Sequence, residues 1–236
     1  MLALLHTSPV HVPVFDALRD RSHPGVELRH LVAEDLLARA RADGPAAVEQ
    51  DVRAKVREAA DSGARAVLCT CSTIGGAAEA AASAAGVPVL RVDRPMAAAA
   101  VAAGERVVVL AALESTLRPT VALIEEEALR AGRSAEVRTV LVPGAWERFE
   151  AGDAAGYVRR AAHAADAVTG ADVIVLAQAS MAPAETLVTT SVPVLSSPRP
   201  GLAAAARLLR RGRPGPSAPT GPAPSRGRVT GGAAPG

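Results

Sequence analysis

With 236 residues the chain is long enough for one large domain or two small ones, with a proper core in either case. Hydrophobic residues make up 49% of it, yet it holds only two Phe, one Trp and one Tyr, so Ala, Val and Leu must build the interior and helices must pack closely on sheets. The 26 basic and 24 acidic residues nearly cancel, which argues against a nucleic-acid surface on the folded part. No apolar stretch of about 18 residues marks a membrane span.

The N-terminus has no positively charged lead, and its apolar run Leu2 to Leu5 is cut by His6, Thr7, Ser8 and Pro9. It predicts a first buried strand and its loop rather than a signal peptide, and a soluble cytoplasmic protein. Val26 to Val32 follows as a second strand. Ala46 to Ser62 carries Val48, Val52 and Val56 at the spacing of an amphipathic helix, ended by Gly63. Ala66 to Cys69 predicts a buried strand that feeds Cys71, Ser72, Thr73 and a glycine-loosened turn at Gly75 and Gly76. A helix over Ala77 to Ala85, a strand over Val87 to Val92 and a helix over Pro95 to Ala103 complete this part.

From Glu105 the pattern starts again. Strands are expected at Val107 to Leu113, Glu136 to Val142, Asp172 to Ala177 and Val192 to Leu195, with helices at Pro119 to Ala131, Asp153 to Thr169 and Leu202 to Arg211. Two segments overlay without a gap: S-G-A-R-A-V-L-C-T-C-S-T from Ser62 and T-G-A-D-V-I-V-L-A-Q-A-S from Thr169, each followed by V-P-V-L, at Val87 and Val192. This is an internal duplication of a βα unit. It implies two parallel-sheet halves, 1–104 and 105–211, with the closing helix free to pack on the first half and a cleft between the halves that receives both strand ends. In the overlay Cys71 stands opposite Gln178. Past Arg211 the composition turns to Pro, Gly, Ala and Arg, and 212–236 is read as a disordered tail.

Ligands of open α/β sheets bind at the carboxyl ends of parallel strands, which makes Cys71 the leading candidate for chemistry. Cys69 reads as a core residue, since cysteine is among the most buried residue types. The two thiols are expected on opposite faces and unbridged. Trp146 and Phe149, after Pro143 and Gly144, either pack half-buried on a surface helix or cover the cleft. Neither the histidines nor the cysteines show metal-ligand spacing, and the glycines make no nucleotide-binding pattern, so no metal or cofactor is expected.

The residues quoted above resemble the aspartate/glutamate/hydantoin racemase superfamily, with its maleate isomerases and arylmalonate decarboxylases, over roughly residues 1 to 211. The resemblance implies two pseudo-symmetric Rossmann-like halves with parallel four-stranded sheets, an active-site cleft between them, a small carboxylate substrate and a homodimer. V-L-C-T-C-S-T resembles the family's first cysteine motif, placing a catalytic thiol on Cys71 and carboxylate donors on Ser72 and Thr73. L-A-A-L-E-S-T-L, from Leu110, is similar to the segment that opens the second half, with Ser115 and Thr116 as carboxylate contacts. V-L-A-Q-A-S-M-A, from Val175, resembles the second cysteine motif, except that Gln178 stands where the thiol would be.

Two-thiol racemisation needs a base on one face of the stereocentre and an acid on the other, and an amide is neither near neutral pH. The expected activity is therefore cofactor-independent chemistry by one cysteine, as acid and base or as nucleophile, in an isomerase of the racemase type or a decarboxylase, at the carbon next to a carboxylate of an amino-acid, hydantoin or malonate type of substrate. Ser8, Ser72, Thr73, Ser115, Thr116 and Ser180, with Gln178, would position that substrate. Ser72, Thr73 and Thr116 also fit helix caps. His6 is either an acid or base beside the cleft or a hydrogen-bonded structural residue. The alternatives are a non-catalytic binder of small carboxylates and, against the one-residue spacing, a redox sensor built on Cys69 and Cys71.

Overall fold

In the computed structural model, which describes residues 1–211, the apolar runs form eight strands, all paired in parallel. The segment 212–236 lies outside the described residues. The first part of the chain runs β1 (Leu2–His6), α1 (His11–Ser22), β2 (Leu28–Val32), α2 (Glu34–Asp43), a 3-10 turn at Pro45–Val48, α3 (Glu49–Asp61), β3 (Ala66–Cys69), α4 (Ser72–Ala80), α5 (Ala82–Ala85) and β4 (Val89–Arg91). After α6 (Arg94–Ala103) come β5 (Arg106–Ala111), α7 (Glu114–Ala131), β6 (Glu136–Leu141), α8 (Ala145–Glu150), α9 (Ala154–Asp166), β7 (Val173–Leu176), a 3-10 segment Ala179–Thr186, β8 (Val194–Ser196) and α10 (Pro198–Arg211).

The sheets have orders β2-β1-β3-β4 and β6-β5-β7-β8, the same topology twice. The duplication extends to single residue pairs. Leu5 lies beside Cys69 and Leu110 beside Leu176, and each strand end is closed by an equivalent bond, Thr70 N–H to Leu5 O at 3.0 Å and Ala177 N–H to Leu110 O at 2.9 Å. Strands buried on both faces have no polar side, so successive residues serve different cores. Ala3, Leu5, Val67 and Cys69 pack beneath α2, α3 and α4, whereas Leu2, Leu4, Ala66 and Leu68 pack against Phe15 and Leu18 of α1 and Leu202 and Ala205 of α10.

Chain order and packing part company at two helices. Met96, Ala97, Ala100 and Val101 of α6 share a core with β5 and β7 of the second sheet, while α10, from the end of the chain, lies on the first. The halves thus exchange one helix each. Tight approach requires glycine here: a Cβ on Gly201 would meet Val92 O at 2.4 Å, so α10 rests almost directly on backbone.

Several elements differ from the expectation. The helices α1 and α2 are not signalled by the sequence, because charges are spread round them and each buries only two residues, Phe15 and Leu18 in one, Leu36 and Ala40 in the other. The expected glycine turn is the start of a helix, as α4 begins at Ser72. Gly75 is needed there because the Arg91 side chain passes close by, its Nε 2.8 Å from where a Cβ would be. Arg91 is itself buried and bonds both oxygens of buried Asp93, each at 2.9 Å.

Gly201→Ala is expected to lower stability by about 1–3 kcal/mol in urea denaturation, as overpacking does. Gly25→Ala, where a Cβ meets nothing within 4 Å, should stay within about 0.5 kcal/mol.

Candidate active site

The carboxyl ends of β1, β3, β5 and β7 converge on a cleft between the two sheets. β1 sends Thr7 and Ser8 to its wall, β3 sends Thr70 and Cys71, and β7 sends Gln178, Ala179 and Ser180. Cys71 occupies the N-cap position of α4 in an extended conformation, so the free N–H groups of that helix start beside the thiol and favour negative charge in the cleft. Ser72 and Thr73, in its first turn, and Thr116 also line the cleft.

None of these three acts as a cap. The N-cap residues of α4 and α7 are Cys71 and Leu113, and neither makes a side-chain cap bond. The Ser72 hydroxyl instead donates to Ala177 O, 2.9 Å away in the other half. Ser115 does not join the group. It faces a separate groove with Glu114 and Arg118, and its hydroxyl is buried without a partner among the described residues.

Gln178 is held by its carbonyl, which accepts the Ala112 N–H at 2.7 Å. That bond orients the amide, since the reversed orientation would set two donors against each other. The Nε2 group is left buried and unpartnered. Ser180 bonds the Tyr157 hydroxyl at 2.8 Å, and burial pushes Tyr157 up to about 12. Trp146 and Phe149, stacked with centroids 4.9 Å apart, line the cleft from α8. The Arg41 guanidinium of α2 lies 5.2 Å from the Trp146 ring and pairs with Glu150 at 3.4 Å.

Both cysteines are free. The expectation that they face opposite ways is corrected: residues two apart in extended backbone share a face, and both pack on the same core cluster. Cys69 is wholly buried, burial pushes its thiol up, and its Sγ donates to Cys71 O at 3.6 Å. Cys71 is the thiol on the cleft wall.

His6 does not reach the cleft wall. It is fully buried, its Nδ1 is 2.8 Å from Thr70 Oγ1 and its Nε2 is 2.8 Å from His30 Nδ1, while His30 Nε2 faces Asp16 at 3.4 Å. Burial lowers the His6 pKa to about 3, so the ring is neutral, donating through one nitrogen and accepting through the other. In either tautomer the Thr70 proton is committed to the interior, to Leu5 O at 3.2 Å or to His6. His11 and Leu37 are cleft residues that the sequence reading passed over. The one signal for His11 is its place in the first helical turn after the first strand's carboxyl end.

A family model described as Asp/Glu/Hydantoin racemase matches residues 12–209. The chain belongs to this family. No curated protein sequence matches it. Solved structures of similar fold include a glycine-to-cysteine mutant of arylmalonate decarboxylase in a sulfate-associated form, 22% identical over 91% of this chain and 96% of that one, with a TM-score of 0.60. Glutamate racemase from Francisella tularensis in complex with D-glutamate is 13% identical over 89% of this chain and 79% of that one, with a TM-score of 0.65. Allantoin racemase from Klebsiella pneumoniae is 18% identical over 89% and 88%, with a TM-score of 0.60. Racemases and a decarboxylase thus share this two-half fold. No described helix is long and apolar enough to cross a membrane.

Burial also lowers the His11 pKa, to about 4, from an ordinary value of 6.5. Protons therefore bind the unfolded chain preferentially below pH 6.5, so the stability due to neutral His6 and His11 is complete above that pH. It is lost as pH falls toward about 4 and about 3. For His6 the slope reaches about 1.4 kcal/mol per pH unit. Urea midpoints compared between neutral pH and about pH 5 should fall in the wild type and fall less in His6→Asn.

Proposed function

We propose that this protein is a cofactor-independent enzyme in which a single thiol, Cys71, moves a proton at the carbon next to the carboxylate of a small acid. The observation that carries this reading is the pairing at the duplicated strand ends. Cys71 lines the cleft at the start of α4, and the equivalent residue after β7 is an amide, Gln178, which also lines it.

In its anionic form the Cys71 sulfur takes the α-proton while the C–H electron pair moves into the adjacent carboxylate, giving an enediolate. The N–H groups at the start of α4 lie where that negative charge collects. With no acid at Gln178, the proton returns from the same thiol to the same face. If the substrate carries a second carboxylate on that carbon, the C–C electron pair remains on the carbon as carbon dioxide leaves, and the Cys71 S–H supplies the proton that replaces it. Both reactions use one thiol: the first exchanges the α-proton with retention, and the second is a decarboxylation, the activity named for one protein of similar fold. Ser8, Thr73, Thr116 and Ser180 surround the cleft as hydrogen-bonding groups for substrate oxygens, and Ser72, whose hydroxyl proton goes to Ala177 O, has its backbone N–H at the start of α4 to offer. Ser115 is left out of this set because it faces the other groove.

In heavy water, proton NMR of a panel of aspartate, glutamate, hydantoins and substituted malonates should show loss of the α-proton signal or decarboxylation for at least one member. Cys71→Ala should slow it by about 10²–10⁴-fold, and Cys69→Ala should leave it within a few-fold. Equal loss from both substitutions overturns the assignment. Exchange by one thiol should retain optical activity. Gln178→Cys, by supplying an acid on the opposite face, should make loss of optical activity keep pace with exchange, as polarimetry beside NMR will register.

A further inference from the structure

Behind the cleft wall four side chains form one line of hydrogen bonds that ends at the surface. Asp16 of α1, partly exposed, faces His30 Nε2 at 3.4 Å. His30, on the edge strand β2, meets His6 Nε2 through its Nδ1 at 2.8 Å, and His6 Nδ1 meets Thr70 Oγ1 at 2.8 Å. Thr70 is a cleft-lining residue and directly precedes Cys71. Its hydroxyl has a second acceptor within reach, Leu5 O at 3.2 Å. Arg19 of α1 also pairs with Asp16, at 3.3 Å, and the His11 ring lies 6.1 Å from that of His6. Among the described residues no other charged group bonds either ring of the His6 and His30 pair.

Each link needs one donor and one acceptor, and a neutral imidazole supplies one of each. With His30 neutral, the Asp16 carboxylate takes the Nε2 proton and leaves Nδ1 bare. His6 must then donate from Nε2, its own Nδ1 is bare, and Thr70 must donate to it. Every bond points from the cleft wall to the surface. With His30 charged, both of its nitrogens carry protons. His6, which burial keeps neutral, must then accept at Nε2 and hold its one proton on Nδ1, so Thr70 accepts that proton and turns its own to Leu5 O. The two inner bonds now point the other way. The second arrangement holds one proton more than the first, and that proton is on His30.

We infer that His30 is a proton sensor whose charge reverses the hydrogen bonds through buried His6 and swings the Thr70 hydroxyl between His6 and Leu5, one residue before Cys71. The observation that carries this is the placement of Thr70 Oγ1 within reach of both partners, so that neither state leaves a link without a donor. Asp16 favours the charged state, and Arg19 beside it opposes that pull. Histidine is the side chain suited to such a device, because its charge changes near neutral pH. The inference needs no turnover in the cleft and is tested apart from the role of Cys71.

The test is proton–nitrogen NMR of the histidine rings in the full chain labelled with nitrogen-15, followed from about pH 8 to about pH 5, the span over which histidines change charge. His6 should carry its proton on Nε2 at the upper end and on Nδ1 at the lower, with the midpoint at which His30 gains charge. The Leu5 carbonyl carbon and the Thr70 methyl should shift with the same midpoint. In Asp16→Asn that midpoint should fall by about 0.5 pH unit, since a carboxylate beside a histidine favours the charged ring. His11→Gln should leave the reversal in place, and His30→Gln should hold His6 in one tautomer throughout. A wild-type His6 that keeps one tautomer from end to end overturns the inference without recourse to any variant. So does a reversal whose midpoint differs from that of His30, or one that survives in His30→Gln.

Discussion

The hydrogen bond from the Ser72 hydroxyl to the Ala177 carbonyl joins two points 105 residues apart in the chain, at 2.9 Å and out of water. It ties the start of α4 in one half to the end of β7 in the other, and the cleft is the space this contact leaves beside it. Close by, the Ala112 N–H bonds Gln178 across β5 and β7. Both bonds depend on strand ends that two copies of one βα unit bring to equivalent depths. A buried carbonyl deprived of its donor costs roughly 1–3 kcal/mol, so the Ser72 bond resists a slip of one half against the other, while the Gln178 bond fixes two strand ends of the second half. The positions of Cys71 and Gln178 follow from that registration.

Other contacts hold the halves together farther from the cleft. Arg94, at the start of α6, bonds Glu79 of α4 and both Glu126 and Glu127 of α7, and Arg91 Nη2 donates to Pro119 O at 3.2 Å. The exchange of α6 and α10 adds apolar burial to these polar links. A two-half protein with such exchanged helices has no simple place to divide, although its sequence repeats.

The two cysteines show how little separation is needed for different surroundings. Cys69 ends a strand, is enclosed by core residues and has its thiol proton bonded to a backbone carbonyl. Two residues on, Cys71 has left the sheet and stands at a helix start on the cleft wall. Gln178 likewise divides its duties within one side chain. Its oxygen secures the strand ends, and its nitrogen is left without a partner beside the cleft.

The sequence by itself determined the strands, the duplication and the pair of equivalent positions, Cys71 and Gln178, that line the cleft. Apolar runs long enough only for strands, each ended by polar residues, can be buried on both faces in few other ways, and a repeated unit repeats its pairing. It also marked Cys71 and the replacement at Gln178, since both sit at fixed offsets within that repeat. Tertiary structure alone decided what surrounds them. The weakly amphipathic helices α1 and α2 bring His11 and Leu37 to the cleft through contacts between distant segments, which no local pattern records. The start of α7 at Glu114 turned Thr116 toward the cleft and Ser115 away, because neighbours on a helix point about 100° apart. Local spacing names residues that can act together, and the rotation of each helix against the sheet chooses which of them do.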